Sequence, residues 1–291
     1  MYAIHHRDAY IDVQAGTRPG NPLKMNEDAL VFNPSDDVYG VIDGVSALAS
    51  YQSDLGFTGG YLAAQLLAEV LQTGSPDLNL KETVLKANAQ LNKRMREACI
   101  GLSDKWALWG AVFAVIKIHD SEIEFVQSGD CMLLAKYRDG GVRAFTRNQV
   151  AAFDRITLDA KRQLAESGRL TDEEIVQQLQ PLFKKNRNKA NTPDGYSVMN
   201  GDPALADCME SGRFPKGDIH KIYAVSDGMF HFIENDDDPD KWQKFAVQLE
   251  EQGIESFMDQ LTLQEEFDVL CLKYPRHKIS DDKSAVVLEL L

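Results

Sequence analysis

The chain has 291 residues, a formal net charge of −14 and 44% hydrophobic residues. This composition is typical of a globular protein, and the acidic balance argues against nucleic acid or an anionic membrane as a partner. The 4 cysteines are scattered without a CxxC pair, and no segment has the roughly 18 apolar residues of a membrane span. We therefore expect free thiols and a cytoplasmic protein.

The N-terminal third predicts strands followed by two helices. Residues 9–13 alternate like a strand, whereas the turn-forming residues of 16–22 predict a loop. Strands are predicted at 26–32 and 38–42, joined by a hairpin turn. Apolar residues at helical spacing then predict helices over 57–71 and 80–98, separated by Ser75-Pro76-Asp77.

The middle of the chain predicts more strands and then an irregular excursion. Strands at 107–118, 122–126, 132–137 and 142–146 have connections too short for crossover helices, so they predict an antiparallel meander. Segment 147–218 predicts an excursion from the core, with helices over 158–167 and 171–183.

Two local features stand out in this excursion. Thr171 and Glu174 form a capping box at the start of the second predicted helix. The basic run 184–189 has two interpretations. It is either a solvated face or a lid that meets an anionic substrate.

The C-terminal part predicts a strand at 218–225, helices over 239–251 and 254–270, and a closing strand at 284–290. We interpret 1–291 as a single domain. The order of elements predicts an α+β fold in which two antiparallel sheets pack together with a helix pair on each outer face.

Acidic residues mark the ends of several predicted strands. Asp43 and Asp227 each stand in an Asp-Gly turn after an apolar strand, and Asp28 and Asp281 each precede one. Each has a simpler interpretation as a turn residue. Their spread along the chain instead favours a carboxylate-lined cation site, and such hard oxygen ligands suit Mg²⁺ and Mn²⁺.

Motifs that follow one another along the chain resemble those of a known family. They are Asn26-Glu27-Asp28-Ala29, Val41-Ile42-Asp43-Gly44, Ser128-Gly129-Asp130, Gly217-Asp218 followed by Ala224-Val225-Ser226-Asp227-Gly228, and Asp281-Asp282-Lys283-Ser284-Ala285-Val286-Val287. On these motifs the chain resembles the metal-dependent Ser/Thr protein phosphatases of the type-2C (PPM) family, especially its bacterial members. The resemblance implies an α-β-β-α sandwich that hydrolyses phosphoserine and phosphothreonine in proteins and opposes a Ser/Thr kinase.

The resemblance also implies a dinuclear Mn²⁺ or Mg²⁺ site in which a metal-bridging water attacks the phosphate. Asp43 would bridge both ions, the Gly44 carbonyl would bind one, and Asp227 and Asp281 would bind the other. Asp43 and Asp227 would thus be catalytic through the metal-bound water. The remaining implied residues are Asp28 and Glu27, which hold metal-bound waters, and Asp130, which with Asp227 suits a third, weaker metal site.

Several positions depart from the family pattern. Leu23 stands where family members often have an arginine that binds phosphate, so Lys24 or Arg18 would have to bind the phosphate instead. Val45 stands where a histidine or methionine is usual. Asp282 replaces the usual asparagine, and we expect it to face solvent while Asp281 binds metal.

These departures keep two alternatives open. One is a catalytically weak or inactive phosphatase-like domain that binds or regulates a partner. The other is a small-molecule phosphatase on the same fold.

Overall fold

The computed structural model describes residues 1–46, 48–49, 51–74, 79–166, 168, 170–230, 238–271 and 273–291. Its strands are β1 (Tyr2–Arg7), β2 (Ile11–Arg18), β3 (Ala29–Asn33), β4 (Val38–Gly44), β5 (Ala111–Ile118), β6 (Glu122–Ser128), β7 (Met132–Tyr137), β8 (Val142–Ala144), β9 (Glu210–Pro215), β10 (Ile219–Val225) and β11 (Lys283–Leu290). Its helices are α1 (Gly59–Thr73), α2 (Leu80–Glu97), α3 (Ala151–Glu166), α4 (Asp172–Arg187), α5 (Leu205–Cys208) and α6 (Lys241–Phe267).

The strands form two antiparallel sheets. The six-stranded sheet has the order β1-β2-β11-β10-β7-β8, and the five-stranded sheet has the order β3-β4-β5-β6-β9. Apolar side chains such as Val13, Val41, Ala114 and Leu133 fill the space between the sheets. The predicted α+β sandwich is therefore confirmed.

Helices cover both outer faces. Leu67 of α1 and Leu91 of α2 pack with Phe113 of the five-stranded sheet in one core. The two halves of α6 pack on the six-stranded sheet, where Leu249 and Phe257 belong to a second outer core. Among the described helices, none combines the length and apolar content that a membrane span requires.

Local sequence explains where these helices begin and break. Thr58 caps α1, and Asn79 and Thr171 form capping boxes with Glu82 and Glu174 at the starts of α2 and α4. Helix α6 is interrupted at Gly253, whose φ of 75° lies outside the helical region. Its two halves correspond to the predicted helices over 239–251 and 254–270.

The predicted meander is wrong. Strands β5 and β6 pair in the five-stranded sheet, whereas β7 and β8 pair in the six-stranded sheet. The chain passes from one sheet to the other at Gly129, where φ is 65°. A short connection fits either a hairpin or a corner between sheets, so sequence spacing alone did not distinguish them.

Three further boundaries differ from the sequence prediction. Residues 16–18 belong to β2 rather than to a loop, because β2 pairs with β11 through Arg18, and β1 was not predicted. Residues 210–215 of the predicted excursion form β9 at the edge of the five-stranded sheet. The predicted helix end at Ser167 and the predicted break at 75–77 lie outside the described residues.

Candidate functional site

The acidic motifs meet at one end of the sandwich. Asp28 precedes β3 and Asp43 lies near the end of β4, and these antiparallel neighbours place Ala29 opposite Ile42. Asp227 follows β10 and Asp281 precedes β11, which pair in the same way. Antiparallel neighbours end and begin at the same edge of a sheet, so each sheet contributes acidic groups to this end. Asp130 joins them from the crossing between β6 and β7.

Electrostatic repulsion acts between these carboxylates. Burial, and then repulsion from Asp28, Asp227, Asp281 and Asp130, raises the pKa of Asp43 well above its ordinary value. Burial and repulsion from Asp227 do the same to the pKa of Asp130. We call Asp28, Asp43, Asp130, Asp227 and Asp281 the acidic cluster.

Asp28 connects the two sheets within this cluster. Its side chain is 4% exposed, and Oδ2 accepts a 2.9 Å hydrogen bond from the Ser226 hydroxyl. Ser226 Oγ in turn accepts a hydrogen bond from the backbone N–H of Ser284. Burial and the neighbouring Asp282 and Asp281 raise the pKa of Asp28 well above its ordinary value. Within the described residues, Asp28 Oδ1 has no hydrogen-bond partner.

Glu27 is held beside the cluster by two hydroxyl groups. Thr58 donates to Oε1, and Ser46 donates to Oε2 at 3.0 Å. Gly44 lies against the backbone here, because an added Cβ would come within 2.6 Å of the Glu27 carbonyl oxygen and 2.7 Å of Gly60. The packing around the end of β4 therefore permits only glycine at position 44.

The expectation that Asp282 faces solvent is wrong. Its Oδ1 accepts a 2.7 Å hydrogen bond from the Gly20 N–H, and its Oδ2 accepts a 2.6 Å bond from the Glu27 N–H. The carboxylate thus ties the end of β2 to the start of β3. Sequence adjacency did not reveal this, because both donors lie more than 250 residues away.

Arg18 and Lys24 are the predicted phosphate-binding residues. Arg18 pairs with Asp259 of α6 at 2.6 Å, and Lys24 and Leu23 lie exposed in the loop before β3. Instead, Lys278 Nζ lies 2.5 Å from Asp281 Oδ1. Burial lowers the pKa of Lys278, but Asp281 and the other cluster carboxylates outweigh it and hold this pKa above its ordinary value.

The basic run ends near the Asp43 turn. Arg187 Nη2 donates a 3.1 Å hydrogen bond to the carbonyl oxygen of Ser46, and Lys184 Nζ lies 4.0 Å from the centre of the Trp106 ring. A small cavity between these elements is lined by Val45, Lys105 and Arg187, among others. The last turn of α4 therefore borders the site.

The donor set fits hydrated divalent ions. Within the described residues, no three His, Cys, Asp or Glu side chains are grouped so that they could hold a metal ion. Mg²⁺ and Mn²⁺ do not require such a group, because they keep several waters and bind through one or two carboxylates. The open Oδ1 of buried Asp28 and the mutual repulsion of the carboxylates are features that bound cations would relieve.

Sequence reasoning missed three contributors to this site. Ser226 and Thr58 orient acidic side chains, and Lys278 neutralises one. Lys278 had a detectable signal, since it stands three residues before Asp281. The roles of the Ser226 and Thr58 hydroxyl groups had no such signal in the sequence, because they depend on contacts between distant segments.

Comparisons with known proteins agree with the fold and give the family. The family model for protein phosphatase 2C matches residues 23–264. The fold is similar to the serine/threonine phosphatase Stp1 from Staphylococcus aureus, with a TM-score of 0.57 and 16% identity over 96% of this chain and 94% of that one.

It is also similar to the serine/threonine phosphatase PstP/Ppp of Mycobacterium tuberculosis, with a TM-score of 0.53 and 16% identity over 97% of this chain and 99% of that one. A PstP catalytic domain solved in complex with 2 manganese ions gives a TM-score of 0.54 and 15% identity over 97% and 99% of the two chains. No curated protein sequence matches the chain significantly.

Proposed function

Because the chain belongs to the protein phosphatase 2C family, whose model matches residues 23–264, we propose that it is a metal-dependent phosphatase acting on phosphoserine and phosphothreonine in proteins. The observation that carries this proposal is the meeting of the acidic cluster at one end of the sandwich. A solved relative of similar fold contains two manganese ions, which supports the same proposal.

The carboxylates divide into residues that would hold metal and residues that would orient water. Asp43 and the Gly44 carbonyl, together with Asp227 and Asp281, would hold two Mn²⁺ or Mg²⁺ ions, and Asp130 would contribute to a weaker third site. Such ions, when bound, lower the pKa of water and stabilise charge on phosphate oxygens.

The remaining side chains would keep these groups in place. Ser226 fixes one oxygen of Asp28 and leaves the other open. Ser46 and Thr58 fix both oxygens of Glu27. Each carboxylate would then present a defined acceptor to a water molecule without rotating, which lowers the reorganisation needed during hydrolysis. A phosphoprotein substrate implies an opposing Ser/Thr kinase as a partner in the same proposal.

The test is hydrolysis of p-nitrophenyl phosphate and of a phosphothreonine peptide, with Mn²⁺ or with EDTA. We expect activity that requires Mn²⁺ and falls by at least about 100-fold in Asp43→Ala and Asp227→Ala, since each removes a proposed metal ligand. Asp120→Asn, in the exposed turn between β5 and β6, is the control. Full activity in both alanine variants would refute the proposal.

The same assay separates the alternatives. Leu23 is 94% exposed where a phosphate-gripping side chain was expected, which favours a binding domain. That alternative predicts Mn²⁺ binding without turnover of any phosphoprotein. Faster turnover of sugar or nucleotide phosphates than of phosphopeptides would instead indicate a small-molecule phosphatase.

A further inference from the structure

The acidic cluster creates a problem for an anionic substrate. Five carboxylates converge here and repel one another. A phosphate monoester dianion would therefore meet residual negative charge as it approached. A basic side chain at the edge of the cluster would reduce that repulsion and could donate hydrogen bonds to a phosphate oxygen.

Lys278 is a basic residue that the structure places there. In the described part of the chain, it forms an ion pair with a cluster carboxylate, at 2.5 Å from Asp281 Oδ1. Its side chain is 50% exposed, so part of it faces the solvent from which a substrate arrives. Arg18 is engaged with Asp259 on the α6 side of the six-stranded sheet.

The loop that carries Lys278 is firmly anchored. The Arg276 guanidinium, in a residue only 7% exposed, pairs with Asp268 at 2.7 Å and donates to the carbonyl oxygens of Tyr274 and Ile279. These bonds fix the backbone on both sides of Lys278. Only the side chain beyond Cβ is then left to order when it binds an anion, which keeps the entropic cost low.

We propose that Lys278 is a phosphate-binding residue whose ammonium group moves from Asp281 onto a non-bridging oxygen of the substrate phosphate. This inference rests on the proposed function. Metal binding at Asp281 favours the exchange, because the carboxylate then interacts with the metal cation and releases the lysine. Lys278 thus supplies the cationic contact with phosphate that the leucine at position 23 cannot make.

The test measures binding of inorganic phosphate to the Mn²⁺-loaded protein by calorimetry, so it does not depend on turnover. We expect Lys278→Met and Lys278→Gln to weaken phosphate binding by about 10- to 100-fold, the usual effect of one charge-assisted hydrogen bond. Lys278→Arg should retain binding within about threefold, since it keeps the charge. Lys244→Met, which breaks an exposed ion pair with Asp238, should leave binding unchanged.

Three outcomes would overturn the inference. Phosphate binding could be equal in wild type and Lys278→Met, or wild type could bind no phosphate. Alternatively, Lys278→Met could bind Mn²⁺ more tightly with unchanged phosphate affinity, which would make the lysine a competitor of the metal. Wild-type turnover of phosphopeptide is scored separately and tests only the proposed function. If turnover is present, the KM for the peptide should rise in Lys278→Met while the Arg variant restores it.

Discussion

Removing the charge of Lys283 tests how the loop before β11 is held. The side chains of Lys283 and Glu265 are 1% and 2% exposed, and Nζ lies 2.8 Å from Glu265 Oε1. The same ammonium group donates to Ser280 Oγ at 3.1 Å and to the Asp281 carbonyl oxygen at 2.9 Å. Lys283 therefore joins the second half of α6 to the residue that we expect to bind metal.

Lys283→Met should remove the buried cation that lies against Glu265 in the interior. Breaking one side of a buried pair costs about 3–5 kcal/mol, and the near-complete burial of both groups places this pair within that range. The melting temperature should fall by roughly 5–8 °C, because the usual entropy of unfolding is about 2.1 cal/mol/K per residue. The double variant Lys283→Met/Glu265→Leu should recover most of the loss, because it removes both members of the buried ion pair.

Urea unfolding followed by circular dichroism measures both variants, with Lys244→Met as an exposed-pair control that should lose at most about 1 kcal/mol. A loss below about 1 kcal/mol in Lys283→Met, or a double variant less stable than the single one, would refute the reasoning. In the first case the interior tolerates the charge, and in the second the pair adds stability beyond charge compensation.

Two further predictions concern repulsion within the acidic cluster. Asp43→Asn should raise the melting temperature of the metal-free protein, because it removes one repelling charge, and it should abolish stabilisation by Mn²⁺. The control Asp120→Asn should do neither. A metal-free Asp43→Asn protein less stable than the metal-free wild type would contradict the argument. Burial and mutual repulsion raise the folded pKa values of Asp28, Asp43 and Asp130 above 3.8, so these groups favour folding below that pH and lose this contribution as the pH rises through their folded pKa values. Saturating Mn²⁺, at about 100 times Kd, should raise the melting temperature by roughly 5–10 °C. This rise should be larger near pH 7.5 than near pH 5, because the ligands must be deprotonated to bind metal. Scanning calorimetry that shows the reverse pH dependence would contradict the prediction.

The sequence predicted the features of the fold that depend on local patterns. Apolar strands that run into Asp43-Gly44 and Asp227-Gly228 are local signals, and the same holds for the cap at Thr171. The alternation of strand groups and helix pairs then predicted the layers. Each of these properties is determined within about ten residues of chain, where hydrophobic periodicity and turn chemistry act.

The remaining features depend on contacts between distant segments. Whether β7 follows β6 in one sheet or crosses to the other depends on which surfaces pack, not on the length of the turn. The role of Asp282 depends on backbone donors at Gly20 and Glu27, and these reach it only when both sheets have assembled.

The hydrogen bonds between the sheets link the stability of the fold to the geometry of the site. Ser226 lies at the end of β10 in one sheet and orients Asp28 at the start of β3 in the other. Asp282 makes a second link, because it accepts from Gly20 after β2 and from Glu27 before β3. A shift between the sheets would therefore move Asp28 and Glu27 relative to Asp281. Core substitutions between the sheets should thus weaken metal binding more than equally destabilising substitutions beneath α1 and α2, since only the former change the distance across the site.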